Sequence, residues 1–165
     1  MKFLNALKKL NKFEKIYIVL FIGSIIIGIA NGLMNLDYFK CCEDSIGIPA
    51  EGTNVLKIFS SNFLLSLTEL LTLGISSLYY NFHTFSITAS YLTFRGTIYI
   101  LPIILLIGGL ELAGSLFMGL TGFSFVERKL FKIKSKLDYR TLFFYGVALI
   151  FIGAVVEYLL LRPLI

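Results

Sequence analysis

Three glutamates, Glu69, Glu111 and Glu157, lie within long apolar stretches of the sequence, and the single histidine, His83, lies near the end of another. An ionised carboxylate is costly in hydrocarbon, so carboxyl groups at such positions are protonated, paired or in contact with water in a cavity. No Lys or Arg lies deep within these stretches to neutralise them. These four side chains are therefore the candidates for a polar pathway through an apolar environment.

The sequence leaves two interpretations of these residues open. In the first, the carboxyl groups converge on a path for protons, cations or a solute. In the second, each protonated carboxyl group donates a hydrogen bond to a neighbouring carbonyl or hydroxyl group and holds the helices together. Glu157 lies near the end of the last apolar stretch, close enough to reach water, and His83 is typical of a hydrogen-bonded residue at a helix start.

No motif of a known enzyme class is present. The sequence has no Walker-type phosphate-binding loop, no HExxH or GxSxG segment and no cluster of residues at metal-ligand spacing. Cys41 and Cys42 are adjacent, which is too few for a disulfide framework. They are either incidental thiols or a disulfide between subunits. We therefore predict a protein that is not an enzyme, with no catalytic residue, no metal and no cofactor.

Composition indicates which elements must position the polar residues. The chain is 57% hydrophobic and only 15% charged, with a mean hydropathy of +0.85. Soluble domains carry roughly 25% charged residues, so this chain has too few charges to cover a water-exposed surface. We predict an all-α protein, a polytopic transmembrane helical bundle that forms a single domain over residues 1–165.

The distribution of charge predicts an orientation. The net charge is +5, and 11 of the 15 Lys and Arg residues lie in residues 1–15 and 126–141, whereas residues 35–56 form an acidic loop. Basic segments beside apolar runs are typical of the cytoplasmic side. The N-terminus and the loop at 126–141 are therefore predicted to be cytoplasmic in the cell membrane, and nucleic-acid binding is disfavoured. The basic loop at 126–141 is interpreted here as a determinant of membrane orientation; the alternative is that it binds anionic lipid headgroups.

The apolar stretches are predicted as membrane crossings, and they cover residues 16–34, 56–80, 98–125 and 142–161. Residues 82–96 are shorter and rich in Ser and Thr. If both basic segments lie on one side of the membrane, an even number of crossings must separate them. Only three apolar stretches between them are long enough to cross, so residues 82–96 must supply a fourth crossing. We therefore predict about five crossings, the third one short or re-entrant, with the C-terminus external.

Small and polar residues recur on one face of each predicted helix, which is typical of faces that contact protein rather than lipid. The polar members of the second helix are Asn62, Ser66, Glu69, Thr72 and Ser76. The glycines predicted to pack helices together are Gly28, Gly32, Gly108, Gly119, Gly122, Gly146 and Gly153. Because five helices leave polar surface to cover, we also predict a homo-oligomer in the bilayer, with a dimer favoured.

The segment Gly108-Gly109-Leu110-Glu111-Leu112-Ala113, followed by Gly119 and Gly122, resembles the stage II sporulation protein M family of integral membrane proteins. Asn62 and Asn81 match two further asparagines of that family, and the resemblance spans roughly residues 58–160. The sequence departs from the family pattern at Phe82, Leu106, Ile107 and Ala113.

The resemblance implies a membrane protein that works with envelope or other membrane proteins, since the family acts in a membrane complex during engulfment. Relatives include archaeal proteins. A chain without Trp or Gln and rich in Ile, Lys and Phe suits such a source and equally suits any AT-rich genome. The first hypothesis is therefore a non-enzymatic scaffold or accessory subunit of a membrane-remodelling or envelope complex. The alternative is a small homo-oligomeric channel or transporter in which the intramembrane carboxylates line the route.

Overall fold

The computed structural model describes residues 10–37, 54–96, 101–133 and 138–161, and the regular structure in these ranges is helical. The helices are α1 (Lys12–Met34), α2 (Val55–Leu71), α3 (Ile75–Arg95), α4 (Leu101–Lys129) and α5 (Tyr139–Leu161). Cys41, Cys42, most of the predicted acidic loop and most of the basic tail lie outside the described residues. The all-α prediction is confirmed.

Three helices, α1, α4 and α5, are long and apolar enough to cross a membrane, with mean hydropathies of 2.3, 2.0 and 2.1. Large apolar side chains on their outer faces are exposed, for example Ile26 at 62% and Phe144 at 70%. Such outer faces suit contact with acyl chains rather than water. The chain thus has the character of a membrane protein.

The second and third helices meet at a tight turn formed by Thr72, Leu73 and Gly74. Leu73 and Gly74 both have positive φ angles, of 57° and 78°. The Gly74 N–H donates to the carbonyl of Glu69 at 2.6 Å, and the Leu73 N–H donates to the carbonyl of Leu70 at 3.3 Å. This pair of bonds is the Schellman arrangement, which satisfies the last carbonyls of α2 and reverses the chain.

The turn changes two predicted boundaries. The second helix ends at Leu71 rather than Tyr80, and residues 82–96 belong to a helix that begins at Ile75. This third helix is therefore not short, because 21 residues rise about 31 Å, close to the thickness of a hydrocarbon core. Thr72 and Ser76 consequently do not continue the polar face of α2.

Helix α1 runs parallel to α3, and the two pack backbone against backbone. A Cβ atom added to Gly28 would lie 2.6 Å from the Phe82 carbonyl oxygen, and one on Gly32 would overlap the Ser86 carbonyl oxygen. The Ser86 hydroxyl donates to the Gly28 carbonyl at 3.1 Å and accepts from the Asn31 amide at 3.1 Å. Small residues and interhelical hydrogen bonds thus join the two helices, as is usual between helices in a bilayer.

Helix α4 runs antiparallel to α5 and to α1. A Cβ atom on Gly114 would meet the Ile150 side chain at 2.7 Å, and one on Gly146 would meet Met118 at 3.0 Å. Helix α2 lies parallel to α4, where Gly122 admits the backbone of Leu70. Successive helices therefore alternate in direction along the chain.

Six of the seven glycines predicted to pack helices together lie against another helix or an inserted side chain, as the added-Cβ distances show. Gly108 is the exception, since a Cβ atom there would meet nothing within 4 Å among the described residues. Its predicted role in helix packing is corrected, because it borders a cavity instead.

Candidate functional site

A cavity of about 200 Å³ lies between α2, α3 and α4, and Ile150 of α5 closes part of its wall. Its polar lining combines two carboxyl groups, two amides and several hydroxyl groups. These residues are Asn62, Ser66, Glu69, Tyr80, Asn81, Thr84, Thr88, Glu111 and Ser115. The sequence-predicted Glu69 and Glu111 are therefore brought to one site.

Glu69 projects from α2 into this cavity and is only 3% exposed. Its Oε1 accepts a hydrogen bond from the Ser115 hydroxyl of α4 at 2.8 Å. Its Oε2 is buried and has no hydrogen-bond partner among the described residues. A buried polar atom without a partner costs roughly 1–3 kcal/mol, so this oxygen is well suited to a bound water, proton or cation.

Asn81 of α3 faces the same cavity and is 5% exposed. Its Nδ2 group is likewise buried and unpaired within the part of the chain that the structure describes. Buried polar groups in proteins are normally hydrogen-bonded. The wall of the cavity thus includes one residue with an unused acceptor, Glu69, and one with an unused donor, Asn81.

Glu111 links the cavity to α5. Its Oε1 accepts a short hydrogen bond from the Asn62 amide of α2, and the carboxyl group of Glu157 on α5 lies beside it. A Cβ atom on Gly153 would lie 3.3 Å from the Glu111 Cγ atom, so Gly153 gives the Glu111 side chain room beside α5. The Asn62–Glu111–Glu157 chain therefore ties three helices together.

His83 does not belong to this site. Its ring lies edge-on to that of Tyr79, with centroids 4.2 Å apart, and it does not line the cavity. Tyr79 is 62% exposed, so this contact is on the outer surface of α3. The polar residues that α3 contributes to the cavity wall are instead Asn81, Thr84 and Thr88, so a pathway role for His83 stays a prediction.

A second acidic cluster, which the sequence did not reveal, lies where the N-terminal end of α1 meets the C-terminal end of α4. Glu14 is fully buried and Glu127 is 3% exposed. The Asn11 amide donates to Glu127 at 2.8 Å, and the Ser124 hydroxyl donates to Glu14 at 3.3 Å. Asn11 and Glu14 also form a capping box that begins α1.

Tyr17 lies between the acidic cluster and the cavity. Its hydroxyl group is hydrogen-bonded to the Ser77 hydroxyl at 2.8 Å, and its ring is 5% exposed. Gly74 and Gly119 lie so close to this ring that neither position has space for a side chain. Glu69 is near enough to act electrostatically on the Tyr17 hydroxyl. Polar groups therefore continue from the cavity toward the acidic cluster.

The lining of the cavity indicates the charge of its ligand. Two carboxyl groups face it, and no basic side chain is among the described residues of its wall. Oxygen atoms of carboxylates, amides and hydroxyls are the ligands that hard cations prefer. The site therefore favours a small cation or a neutral polar solute over an anion.

The family-matching residues divide between this cavity and the helix contacts. Asn62, Asn81, Gly108 and Glu111 line the cavity, whereas Gly119 receives Tyr17 and Gly122 receives the backbone of α2. No family model, curated protein or solved structure matches the chain. The resemblance to the stage II sporulation protein M family therefore stays a prediction.

Proposed function

We propose that this chain is a non-enzymatic membrane protein of five crossings that binds a small monovalent cation in the α2–α3–α4 cavity and moves it across the bilayer. We therefore favour the channel or transporter hypothesis over the scaffold hypothesis. The reason is the cavity itself, since a purely structural bundle gains nothing from buried polar groups that lack partners.

The alternating direction of the helices supports five crossings. Helices α1, α3 and α5 run one way and α2 and α4 run the other. Helix α1 meets α3 first at Gly28–Phe82 and then at Gly32–Ser86, whereas α4 meets α5 first at Gly114–Ile150 and then at Met118–Gly146. With a cytoplasmic N-terminus, this order puts the acidic cluster on the cytoplasmic side and the end of α5 outside. Helix α2 is the shortest at 17 residues, about 25 Å, and it is shielded from lipid on one side by α4 and α5.

The observation that carries the proposal is that two residues lining one cavity, Glu69 of α2 and Asn81 of α3, each have a buried polar group without a hydrogen-bond partner among the described residues. The carboxylate oxygen supplies a negative ligand, and the amide and hydroxyl groups elsewhere on the otherwise apolar wall offer further oxygen ligands. A cation beside Glu69 would offset the cost of ionising that carboxyl group in an apolar environment.

The size of the cavity suits a partly hydrated ion. Its volume of about 200 Å³ is several times the volume that one molecule occupies in liquid water, which is about 30 Å³. A cation with a few waters fits this space, and the residues on its wall that carry hydroxyl groups include Ser66, Thr84 and Thr88.

The proposal is tested by cation uptake into vesicles of neutral phospholipid that contain the purified chain. We expect uptake of Na⁺, K⁺ or ammonium to exceed that of protein-free vesicles at least about tenfold, because the cavity replaces hydration that hydrocarbon cannot supply. Chloride uptake in the same vesicles is the control, and we expect it to stay at the protein-free level. Cation uptake equal to that of protein-free vesicles would contradict the proposal.

One observation favours the scaffold as a second candidate. The Asn62–Glu111–Glu157 chain and the glycine contacts of α1 with α3 hold helices together without any ligand. A scaffold of this kind would bind envelope or membrane proteins through its loops and would carry no cation. The uptake measurement therefore separates the two candidates.

A further inference from the structure

A second, apolar groove opens at the end of the bundle where α4 ends and α5 begins. Its volume is about 590 Å³, and pockets that hold a sizeable organic ligand have roughly 300–1,000 Å³. Most of its lining is aliphatic or aromatic, and it includes Leu71 of α2, Phe125 of α4 and Phe144 of α5. These three side chains are exposed, so the groove is open to whatever surrounds the protein.

The groove exists because α2 stops short of the end of α4. Gly122 of α4 lies against the backbone of Leu70, and α2 ends one residue later at Leu71. Helix α4 continues beyond Gly122 to Lys129, which adds about 10 Å. The last turns of α4 and the first turns of α5 therefore lie side by side without a continuation of α2 to cover them.

The charge at the open end of this groove is positive. Arg140, in the first turn of α5, is exposed and is the one charged residue among the described residues that line the groove. The Arg128 guanidinium lies 5.5 Å from the ring centroid of Tyr139, another lining residue. The neighbouring acid, Asp138, is used at the start of α5, where it accepts from the Arg140 N–H at 3.2 Å and from the Thr141 hydroxyl at 2.6 Å.

The groove is thus the opposite of the α2–α3–α4 cavity in charge. Two carboxyl groups and no basic residue lie on the described wall of that cavity, whereas the described wall of the groove has one guanidinium and no carboxyl group. A ligand of the groove must therefore combine a negative group with an apolar body.

The depth of the groove suits the upper part of an acyl chain. It extends from Arg140 to Phe144 along α5 and from Val126 to Thr121 along α4, which is roughly 6–8 Å along each helix axis. Tyr139 lies at the polar end, a position that tyrosines favour at the boundary between headgroups and hydrocarbon. An acyl chain in the groove would continue past Phe144 into the surrounding bilayer.

We propose that this groove binds one anionic phospholipid, with the phosphate of its headgroup at Arg140 and the first part of an acyl chain between α4 and α5. The charge decides the class of lipid, because a basic residue near the membrane surface favours an anionic over a neutral headgroup by about fivefold. The orientation proposed above puts the groove in the cytoplasmic leaflet, where anionic lipids are concentrated. The lipid site does not depend on the cation site, since the groove and the α2–α3–α4 cavity share no described lining residue.

The experiment is native mass spectrometry of the full chain, released from detergent micelles that contain phosphatidylglycerol and phosphatidylcholine in equal amounts and with the same acyl chains. Both lipids have a phosphate, but only phosphatidylglycerol has a net negative charge. We expect each chain to retain one phosphatidylglycerol, with a preference over phosphatidylcholine of at least about fivefold. We expect Arg140→Gln to remove this preference. Equal retention of the two lipids by the wild type would overturn the proposal.

Lys15→Gln is the matched control, since Lys15 is an exposed basic residue at the same end of the bundle but on α1, outside the groove. We expect this variant to retain phosphatidylglycerol as the wild type does. If it lost the preference as fully as Arg140→Gln, the general charge of the protein surface would hold the lipid, and the proposal would fail.

Two further measurements test the place of the acyl chain. Val126→Trp puts a larger side chain into the groove without a change of charge, and we expect this variant to lose the retained lipid. The deacylated headgroup, glycerophosphoglycerol, is added in excess to the wild type, which covers the case in which Val126→Trp does not fold. We expect it to leave the lipid in place, because it lacks the apolar part that the groove holds.

The other occupants of the groove give different results in these measurements. Displacement of the lipid by glycerophosphoglycerol, or full retention of the lipid by folded Val126→Trp, would reveal a site for the anionic headgroup alone. Dimers of the chain that carry no lipid would assign the groove to a second copy. Each of these results would overturn the proposal and leave the proposed cation site standing.

Discussion

Glu69→Gln is expected to lower cation affinity and uptake by about 10- to 100-fold while leaving the protein folded. The substitution keeps the size of the side chain, and its amide oxygen can still accept from Ser115. It removes the negative charge that faces the cavity, and hydrogen bonds or contacts to a charged group contribute roughly 1.5–3 kcal/mol. Uptake into vesicles and calorimetric titration measure the two effects.

The control for this prediction is Glu127→Gln, which removes a carboxyl group of similar burial at the acidic cluster. We expect its cation uptake to stay within about twofold of the wild type, because Glu127 contacts Asn11 rather than the cavity. If Glu69→Gln retained full uptake, or if both variants lost it equally, Glu69 would not be the cation ligand.

Gly32→Leu is expected to lower the free energy of unfolding by about 3 kcal/mol or more. A side chain at this position would overlap the Ser86 carbonyl oxygen and the Cβ atom of Ala89, and backbone atoms cannot move aside as a flexible side chain can. Overpacking typically costs about 1–3 kcal/mol, and here it separates α1 from α3 along their main contact. Unfolding in increasing dodecyl sulfate, followed by near-ultraviolet circular dichroism, measures the loss.

Gly23→Leu is the matched control because it makes the same change in the same helix. A Cβ atom on Gly23 meets nothing within 4 Å among the described residues. Leu has a higher helix propensity than Gly, by up to about 1 kcal/mol. We therefore expect this variant to be as stable as the wild type or slightly more stable. Equal destabilisation by the two variants would show that α1 does not pack on α3 in this way.

The fold class and much of the site could be predicted from the sequence. The surplus of apolar residues predicts helices in a bilayer, and intramembrane carboxyl groups predict a polar interior. Glu69 and Glu111 do line one cavity, and Glu157 contacts Glu111. For these carboxyl groups, the free-energy cost of exposure to hydrocarbon is larger than any local conformational preference of the chain. The composition of a helix and the position of a carboxyl group within it are therefore enough to predict that the group faces the interior of the bundle.

The turn at Leu73 and Gly74 could not be predicted, because the stretch around it has no proline and its polar residues recur at a spacing that suits one continuous helix. A leucine with a positive φ angle is disfavoured by roughly 1–2 kcal/mol, so no propensity scale indicates it. The insertion of Tyr17 against Gly74 and Gly119 stabilises the turn, and this contact joins residues that are far apart in sequence.

The acidic cluster escaped prediction for a different reason. Glu14 and Glu127 lie in segments rich in Lys and Arg, where a carboxylate is usually an exposed partner of a base. Only the crossing of α1 with α4 buries them together with Asn11 and Ser124. The position of His83 outside the cavity has a related cause, since the register of α3 follows from its start at Ile75, and that start depends on the turn.

The most direct measurement of the central claim, a hydrated cavity inside the bundle that admits cations, is thiol labelling in vesicles. In a chain with Cys41 and Cys42 replaced by serine, Thr88→Cys places a thiol on the cavity wall and Ile26→Cys places one on an exposed apolar face. We expect a positively charged methanethiosulfonate reagent to modify Thr88→Cys, and we expect Na⁺ or K⁺ to slow that reaction. Ile26→Cys should stay unmodified, because a thiol in hydrocarbon does not ionise. Thr88→Cys that resists the cationic reagent, or reacts equally fast with an anionic one, would contradict the account.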